Sequence, residues 1–212
     1  MERKTAFIYT GGTVFEEYVI EKPEKGDLVI AADSGYRNAK KMGVVPNLLL
    51  GDFDSLNQSE KLPEDLEILQ VPAEKDDTDT QLAVKVALER GAKQLVIIGG
   101  LDGRLDHTLS NLAILEDLAS KHISGVITNG QNRVRFIRDN GVILMRDGFR
   151  YFSILAADPV VKGVSVDGCK YPLKKAKLLR TNQYAVSNEI IGNCALIEIK
   201  KGGAWVVESN DK

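Results

Sequence analysis

Through its first ~125 residues the chain alternates short apolar runs with helical patterns, and that alternation narrows the fold more than any other feature. Ala6-Phe7-Ile8-Tyr9 reads as a strand that ends in Thr10-Gly11-Gly12. Leu28 to Ala32 reads as a second strand and runs through Asp33-Ser34-Gly35 into a short helix that stops near Gly43. Leu48-Leu49-Leu50 is a third strand, ending at Gly51-Asp52-Phe53-Asp54, and Leu66 to Val71 a fourth. Thr78 and Gln81 then make an S/T-x-x-Q capping box. Leu82, Val86 and Leu88 supply an apolar side for the helix it starts, and Gly91 stands where a C-terminal cap belongs. Leu95 to Ile98 is a continuous apolar run, as expected of a strand buried on both faces. After a glycine loop, Leu105, Leu109, Leu112, Leu115 and Leu118 form a helical stripe, and Val126-Ile127 closes the sheet. Strands alternating with helices predict a Rossmann-like, mostly parallel sheet with helices on both faces.

The pattern changes near Asn129. From there the chain offers short strand-like runs and turns without a helical period, such as Val134 to Ile137, Val142 to Met145, Tyr151 to Leu155 and Ala195 to Ile199. Several alternate in polarity, as half-exposed antiparallel strands do. The expected organisation is α/β for residues 1–129, followed by a smaller all-β, sandwich-like domain over residues 130–212. The formal net charge of -2 provides no global field for nucleic acid or anionic membrane, so any phosphate binding must be local. No apolar stretch approaches the length of a membrane span. The N-terminal apolar run is too short for a signal peptide, and the two cysteines, Cys169 and Cys194, match no metal spacing. The expected location is the cytoplasm.

Two acid-rich stretches lie close together, Glu74 to Thr80 and Gly99 to His107. Two unit charges ~4 Å apart repel by roughly 4 kcal/mol at an effective dielectric of about 20, so a fold that gathers carboxylates needs a cation. Mg²⁺ fits, because it takes hard oxygen ligands and shares them with substrate phosphates. Asp33, Asp52, Asp54, Asp102 and Asp106 each follow a predicted strand. In a parallel sheet those loops share the carboxyl edge, where ligands bind in this architecture. Any one of these residues is ordinary in a turn or at an N-cap; the set on one edge points to a site. Gly99-Gly100-Leu101-Asp102-Gly103-Arg104 precedes a helix and offers backbone N–H groups and a guanidinium to phosphate. It is neither a Walker A loop nor a G-x-G-x-x-G fingerprint. His107 and Asn111, one helical turn apart, can face one ligand. With only two histidines a His-based zinc site is short of ligands, and no G-x-S-x-G elbow accompanies His107 for a hydrolytic triad.

Asp33-Ser34-Gly35, Gly51-Asp52-Phe53-Asp54-Ser55, Asp76-Asp77-Thr78-Asp79 and Gly103-Arg104-Leu105-Asp106-His107-Thr108-Leu109-Ser110-Asn111 occur in the order and spacing of the thiamine pyrophosphokinase family, which the chain resembles over most of its length. Ser187-Asn188-Glu189 resembles that family's late motif. The resemblance implies a diphosphoryl transfer from ATP to thiamine, giving thiamine diphosphate and AMP, with Mg²⁺ as cofactor. It implies catalytic roles for Asp52, Asp54, Asp76 and Asp79, with Asp52, Asp54 and Asp79 at the metal. Thr10, Gly11, Gly12, Asp33, Gly100, Arg104, Asp106, His107 and Asn111 would hold the nucleotide. It implies a homodimer with sites at the subunit interface, where Ser187 and Asn188 meet thiamine. Some members set a tryptophan against the thiamine pyrimidine; Trp205 stands in that region, with core packing as its alternative. Which carboxylate, if any, takes the hydroxyl proton stays open. The rival readings are another Mg-dependent nucleotide or sugar-phosphate transferase on the same plan, or a non-catalytic nucleotide-binding regulator.

Overall fold

The computed structural model describes residues 4–52, 62–63, 66–72 and 76–211. Asp54 and the Glu74-Lys75 end of the first acidic stretch lie outside the described residues. The chain divides into two compact units, Met1–Ile114 with Ile123–Gly130, and Leu115–His122 with Gln131–Lys212.

The first unit holds six parallel strands: β1 (Thr5–Tyr9), β2 (Leu28–Ala32), β3 (Leu48–Gly51), β4 (Glu67–Gln70), β5 (Gln94–Ile98) and β6 (Ser124–Thr128). Their order in the sheet is β4-β3-β2-β1-β5-β6, with Ile8 of β1 level with Ile30 on one side and Ile97 on the other. Every residue of β2 and β3 is buried. That is why these strands read as unbroken apolar runs rather than alternating ones. β4 is the exception: it sits at the end of this order and all its residues are exposed, including Ile68 and Leu69. The chain builds outward from β1 through β2, β3 and β4, then returns to lay β5 on the opposite side of β1. The strand order therefore reverses between β1 and β5, and a crevice opens there at the carboxyl ends.

Among the described residues three α-helices accompany these strands: α1 (Gly35–Lys41), α2 (Asp79–Glu89) and α3 (Leu105–Ser120). The capping box of α2 is formed in both directions. Thr78 Oγ1 accepts from the Gln81 amide at 3.2 Å, and Gln81 Oε1 accepts from the Thr78 amide at 2.9 Å. The apolar face of α2 is not the expected one. Thr80, Ala83, Val84, Val86 and Ala87 are buried, while Leu82 and Leu88 are only partly so. Small side chains let the helix lie close to the sheet, and the larger leucines are displaced to the flanks. The leucine stripe of α3 is likewise only half realised. Leu115 and Leu118 are buried, but Leu105 and Leu109 are exposed. Their spacing drifts around the helix, so its first turns and its last turns do not share one buried face.

The second unit is all antiparallel apart from the short helical segment. In one sheet β13 (Gly203–Ser209) lies between β7 (Asn132–Arg138) and β9 (Tyr151–Ala156). The other sheet runs β11 (Leu173–Leu179), β10 (Val160–Asp167), β12 (Cys194–Glu198), β8 (Gly141–Met145). β9 and β12 alternate buried and less buried residues along their length. The inward sets, Phe152, Ile154, Ala204 and Val206 from the first sheet and Leu144, Val161, Val164, Val166, Leu178, Ala195 and Ile197 from the second, make one core. This is the sandwich the alternating pattern predicts. Cys169 and Cys194 are both free thiols. Among the described residues no helix is long and apolar enough to cross a membrane.

Candidate active site

The carboxyl edge of the first unit holds a cleft of about 530 Å³ where the strand order reverses. Four loops build it. Thr10, Gly11 and Gly12 leave β1; Ala32, Asp33 and Ser34 leave β2; Asp52 follows β3; Gly100, Asp102, Gly103 and Arg104 follow β5. Asp77, Thr78, Asp79 and Thr80 come from the start of α2, and His107 and Asn111 from the first turns of α3. Ten residues expected at the site thus come together: Thr10, Gly11, Gly12, Asp33, Asp52, Asp79, Gly100, Arg104, His107 and Asn111. Asp76 and Asp106 are not among the lining residues, and Asp54 lies outside the described ones.

The loops are held in place by a short set of polar contacts. The Thr10 amide donates to Ile98 O at 2.9 Å and the Gly100 amide to Gly11 O at 3.1 Å, so the loops after β1 and β5 are bound edge to edge. Gly99 permits that approach: at its φ of 101°, a Cβ would stand 2.7 Å from Thr10 O and 2.8 Å from Gly11 O. Buried Asn38 of α1 donates to Thr10 O at 2.8 Å and to Gly12 O at 3.0 Å. Asp102 Oδ2 accepts from the Thr13 amide at 2.9 Å. Thr10 and Thr80 share a hydrogen bond between their hydroxyls at 3.0 Å, tying the β1 loop to α2. Asn111 donates to Gly100 O at 3.0 Å, which fixes the second glycine loop from α3. Asp33 adopts a left-handed φ of 47°, a conformation Asp tolerates better than most residues, and its amide donates to Leu50 O at 2.7 Å.

Five described carboxylates line this cleft: Asp33, Asp52, Asp77, Asp79 and Asp102. Asp79 occupies the first turn of α2, where the helix N-terminus favours negative charge. Lys85 lies 2.5 Å from Asp77 and offsets part of the sum. Arg104 reaches Asp106 through two hydrogen bonds, of 3.1 and 2.6 Å, and both side chains are largely exposed. The guanidinium holds the Asp106 carboxyl below the usual carboxylate range, and the His107 amide adds a further bond at 3.0 Å. Among the described residues no three carboxylates, histidines or cysteines are gathered closely enough to hold a metal by themselves.

Sequence reasoning placed Asp102 on the rim without giving it a role, and did not single out Ser34, Asp77, Thr78 or Thr80 as lining residues. Asp102 is legible only in three dimensions, because its partner Thr13 lies 89 positions away.

The late candidates stand in the second unit. Ser187 adopts a φ of 55°, and its amide donates to Ser153 Oγ at 3.0 Å. Buried Asn188 donates to Tyr171 O at 2.8 Å and to Cys169 Sγ at 3.3 Å, while its Oδ1 accepts from the Tyr171 and Glu189 amides. Its backbone bridges Phe152 in both directions, at 2.9 and 2.8 Å. The Asn188 amide group is therefore engaged within the protein and braces the turn that presents Ser187. Next to it is a cavity of about 110 Å³, lined among others by Tyr171, Tyr184 and Val186. Trp205 is half-buried in β13, edge-on to Phe136 with ring centroids 5.6 Å apart, and its Nε1 is buried without a partner among the described residues.

A family model for the thiamin pyrophosphokinase catalytic domain matches residues 21–127, and one for the thiamin pyrophosphokinase vitamin B1 binding domain matches residues 138–202. A thiamine pyrophosphokinase from Bacillus subtilis is 29% identical over 190 residues, covering 87% of this chain and 88% of its own. The crystal structure of thiamine pyrophosphokinase from Bacillus subtilis superposes with a TM-score of 0.88 at 27% identity, covering 99% of this chain and 100% of that one. The thiamin pyrophosphokinase of Geobacillus thermodenitrificans gives a TM-score of 0.83 at 26% identity over 98% of each chain. With both domain models matched in order, and with the cleft residues from Ala32 to Asn111 inside the first of them, the chain belongs to the thiamine pyrophosphokinase family.

Proposed function

We propose that the protein is a thiamine diphosphokinase that transfers the diphosphoryl group of ATP to the hydroxyl of thiamine, releasing AMP. The observation that carries this reading is the convergence of five separate carboxylates, two glycine loops and Arg104 on one cleft at the sheet's switch point. The thiamine hydroxyl oxygen forms a bond to the β-phosphorus and releases its proton, while the bond from that phosphorus to the bridging oxygen breaks and its electron pair leaves with AMP. Such chemistry depends mainly on positioning and on charge neutralisation. Residues 1–129 would hold the nucleotide, with the Thr10–Gly12 and Gly100–Gly103 turns along its phosphates and Arg104, His107 and Asn111 at one wall. Residues 130–212 would supply the thiamine contacts, with Ser187 presented by the Asn188 brace and Trp205 as the aromatic candidate. The active form is a cytoplasmic homodimer with sites shared at the subunit interface.

The donor set suits Mg²⁺. It consists of carboxylate oxygens, and Asp52 and Asp79 in the cleft, with Asp54, are the residues that would hold the ion. Mg²⁺ usually keeps several waters and takes further oxygens from substrate phosphates. Bound there, Mg²⁺ would offset charge on the transferring phosphoryl group. An assay for AMP release tests the reading. Release that requires both thiamine and Mg²⁺ is expected. ATP binding without thiamine-dependent AMP formation would overturn it in favour of a nucleotide-binding regulator.

A further inference from the structure

Resting on the nucleotide reading of the cleft, we propose that Asp102 is a positioning residue, a strap that sets the turn after β1 in its phosphate-binding conformation. The peptide between Gly12 and Thr13 is gripped at both ends. Asn38 Nδ2 donates to its carbonyl oxygen at 3.0 Å, and its N–H donates to Asp102 Oδ2 at 2.9 Å. A trans peptide is planar, with C=O and N–H pointing in opposite directions, so two opposed partners fix the orientation of the whole plane. The same Asn38 amide holds Thr10 O at 2.8 Å. That directs the Gly11 N–H away from α1, as the grip on Gly12 O directs the Thr13 N–H. Asn38 alone leaves the turn able to pivot about its carbonyl side; Asp102, from the loop after β5, closes the other side.

The fit is tight. Gly12 has a φ of 95°, and a Cβ on it would stand 2.2 Å from Asp102 Oδ1. That oxygen is buried and has no hydrogen-bond partner among the described residues. A buried acceptor without a donor is costly to keep. The carboxylate is held there at a cost, and the return is the grip of its other oxygen on Thr13. Oδ2 is engaged by the Thr13 amide, so the effect of Asp102 passes through the turn.

The test reads ATP affinity directly, by calorimetry without thiamine, and separately KM for ATP, KM for thiamine and kcat. Loss of one charge-assisted hydrogen bond is worth about tenfold or somewhat more in affinity. Asp102→Ala is expected to weaken ATP about tenfold while KM for thiamine changes less than about twofold and Tm by a few degrees at most. Asp102→Asn keeps an amide oxygen for the Thr13 N–H, and is expected to bring ATP affinity back to within about threefold of the original. Gly12→Ala should weaken ATP more in the original chain than in the Asp102→Ala background, since the clash is with the Asp102 carboxylate. Unchanged ATP affinity in Asp102→Ala, an Asn variant as impaired as the Ala variant, or additive effects of the two substitutions would each overturn the strap. Failure of the unsubstituted protein to bind ATP would overturn the nucleotide reading itself, a result distinct from any of these.

Discussion

Both units of the molecule gather charge, and they do so to opposite ends. In the first, Asp33, Asp52, Asp77, Asp79 and Asp102 converge on an open cleft. In the second, Arg133 is almost wholly buried and its charge is met inside the protein. Its guanidinium donates to Glu208 at 2.8 and 2.7 Å and to both oxygens of Asp147 at 2.7 Å, while Arg135 pairs with the same Glu208. Burial pulls against the charged form of Arg133, but the two carboxylates outweigh it and raise its pKa above the usual arginine value. One region keeps like charges together around a space for a ligand. The other pairs opposite charges and leaves no space. Charge in a cleft signals chemistry, whereas charge closed on itself signals architecture.

The largest expected effect lies at the cleft. Asp79→Asn removes one carboxylate from the proposed metal side and should lower thiamine-dependent AMP formation at least ~100-fold, a magnitude in keeping with loss of one preorganised charge at a reacting centre. Stability should move little, because a first-turn carboxylate contributes only about 0.3–1 kcal/mol to its helix. Thermal melting and turnover on the same sample check both halves. A variant that melts early and retains its turnover would erase the contrast between the units.

The mirror experiment is Glu208→Gln. Breaking a buried ion pair from one side strands the other charge, at roughly 3–5 kcal/mol. For a chain of this size that is a fall in Tm on the order of 10 °C. Activity per folded molecule at low temperature should stay near that of the original protein, since Glu208 is not among the residues that line the cleft. If Tm holds while kcat drops, the Arg133 cluster is functional and the comparison fails.

The two regions were also unequally legible in the sequence. The unbroken apolar runs of β2 and β3, the Thr78–Gln81 box and the glycine turns after β1 and β5 are local signals, and each is realised in the structure. Local order along the chain was enough to place most of the cleft, because a parallel sheet delivers every loop that follows a strand to one edge. Long-range contacts were not legible. Nothing near Arg133 announces a buried charge; in an alternating strand it reads as solvent-facing until Glu208, 75 positions on, is laid beside it. Asp102 looked like one more turn aspartate until Thr13 came within reach. Arg104 and Asp106, both expected to hold the nucleotide, are close enough in sequence to satisfy each other at the surface. Asn188 was expected at the substrate, and its amide is engaged with Tyr171, Cys169 and Glu189.

Between the open cleft and the closed cluster stands a third arrangement, the Arg138–Asp158 pair of the second unit. Arg138 donates to Asp158 at 2.8 and 2.9 Å, and the Gly203 amide adds a bond at 3.0 Å. The guanidinium holds the Asp158 carboxyl below its ordinary value, against a smaller opposing effect of burial. The folded state therefore binds that proton less readily than the unfolded chain does. The sign follows: the contribution is fully present above the ordinary carboxylate pKa of about 4, and is lost as pH falls through the lowered folded value. About a third of each side chain is exposed, at 38% and 30%, so water and salt screen the pair and its worth is at most about 1 kcal/mol. Asp158→Asn should thus lower Tm by a few degrees at pH 7 and by progressively less below pH 4, with the difference shrinking in high salt. A loss at neutral pH as large as that of Glu208→Gln would place this half-open pair with the buried cluster; a loss independent of pH would assign its effect to the Gly203 hydrogen bond instead of the charge.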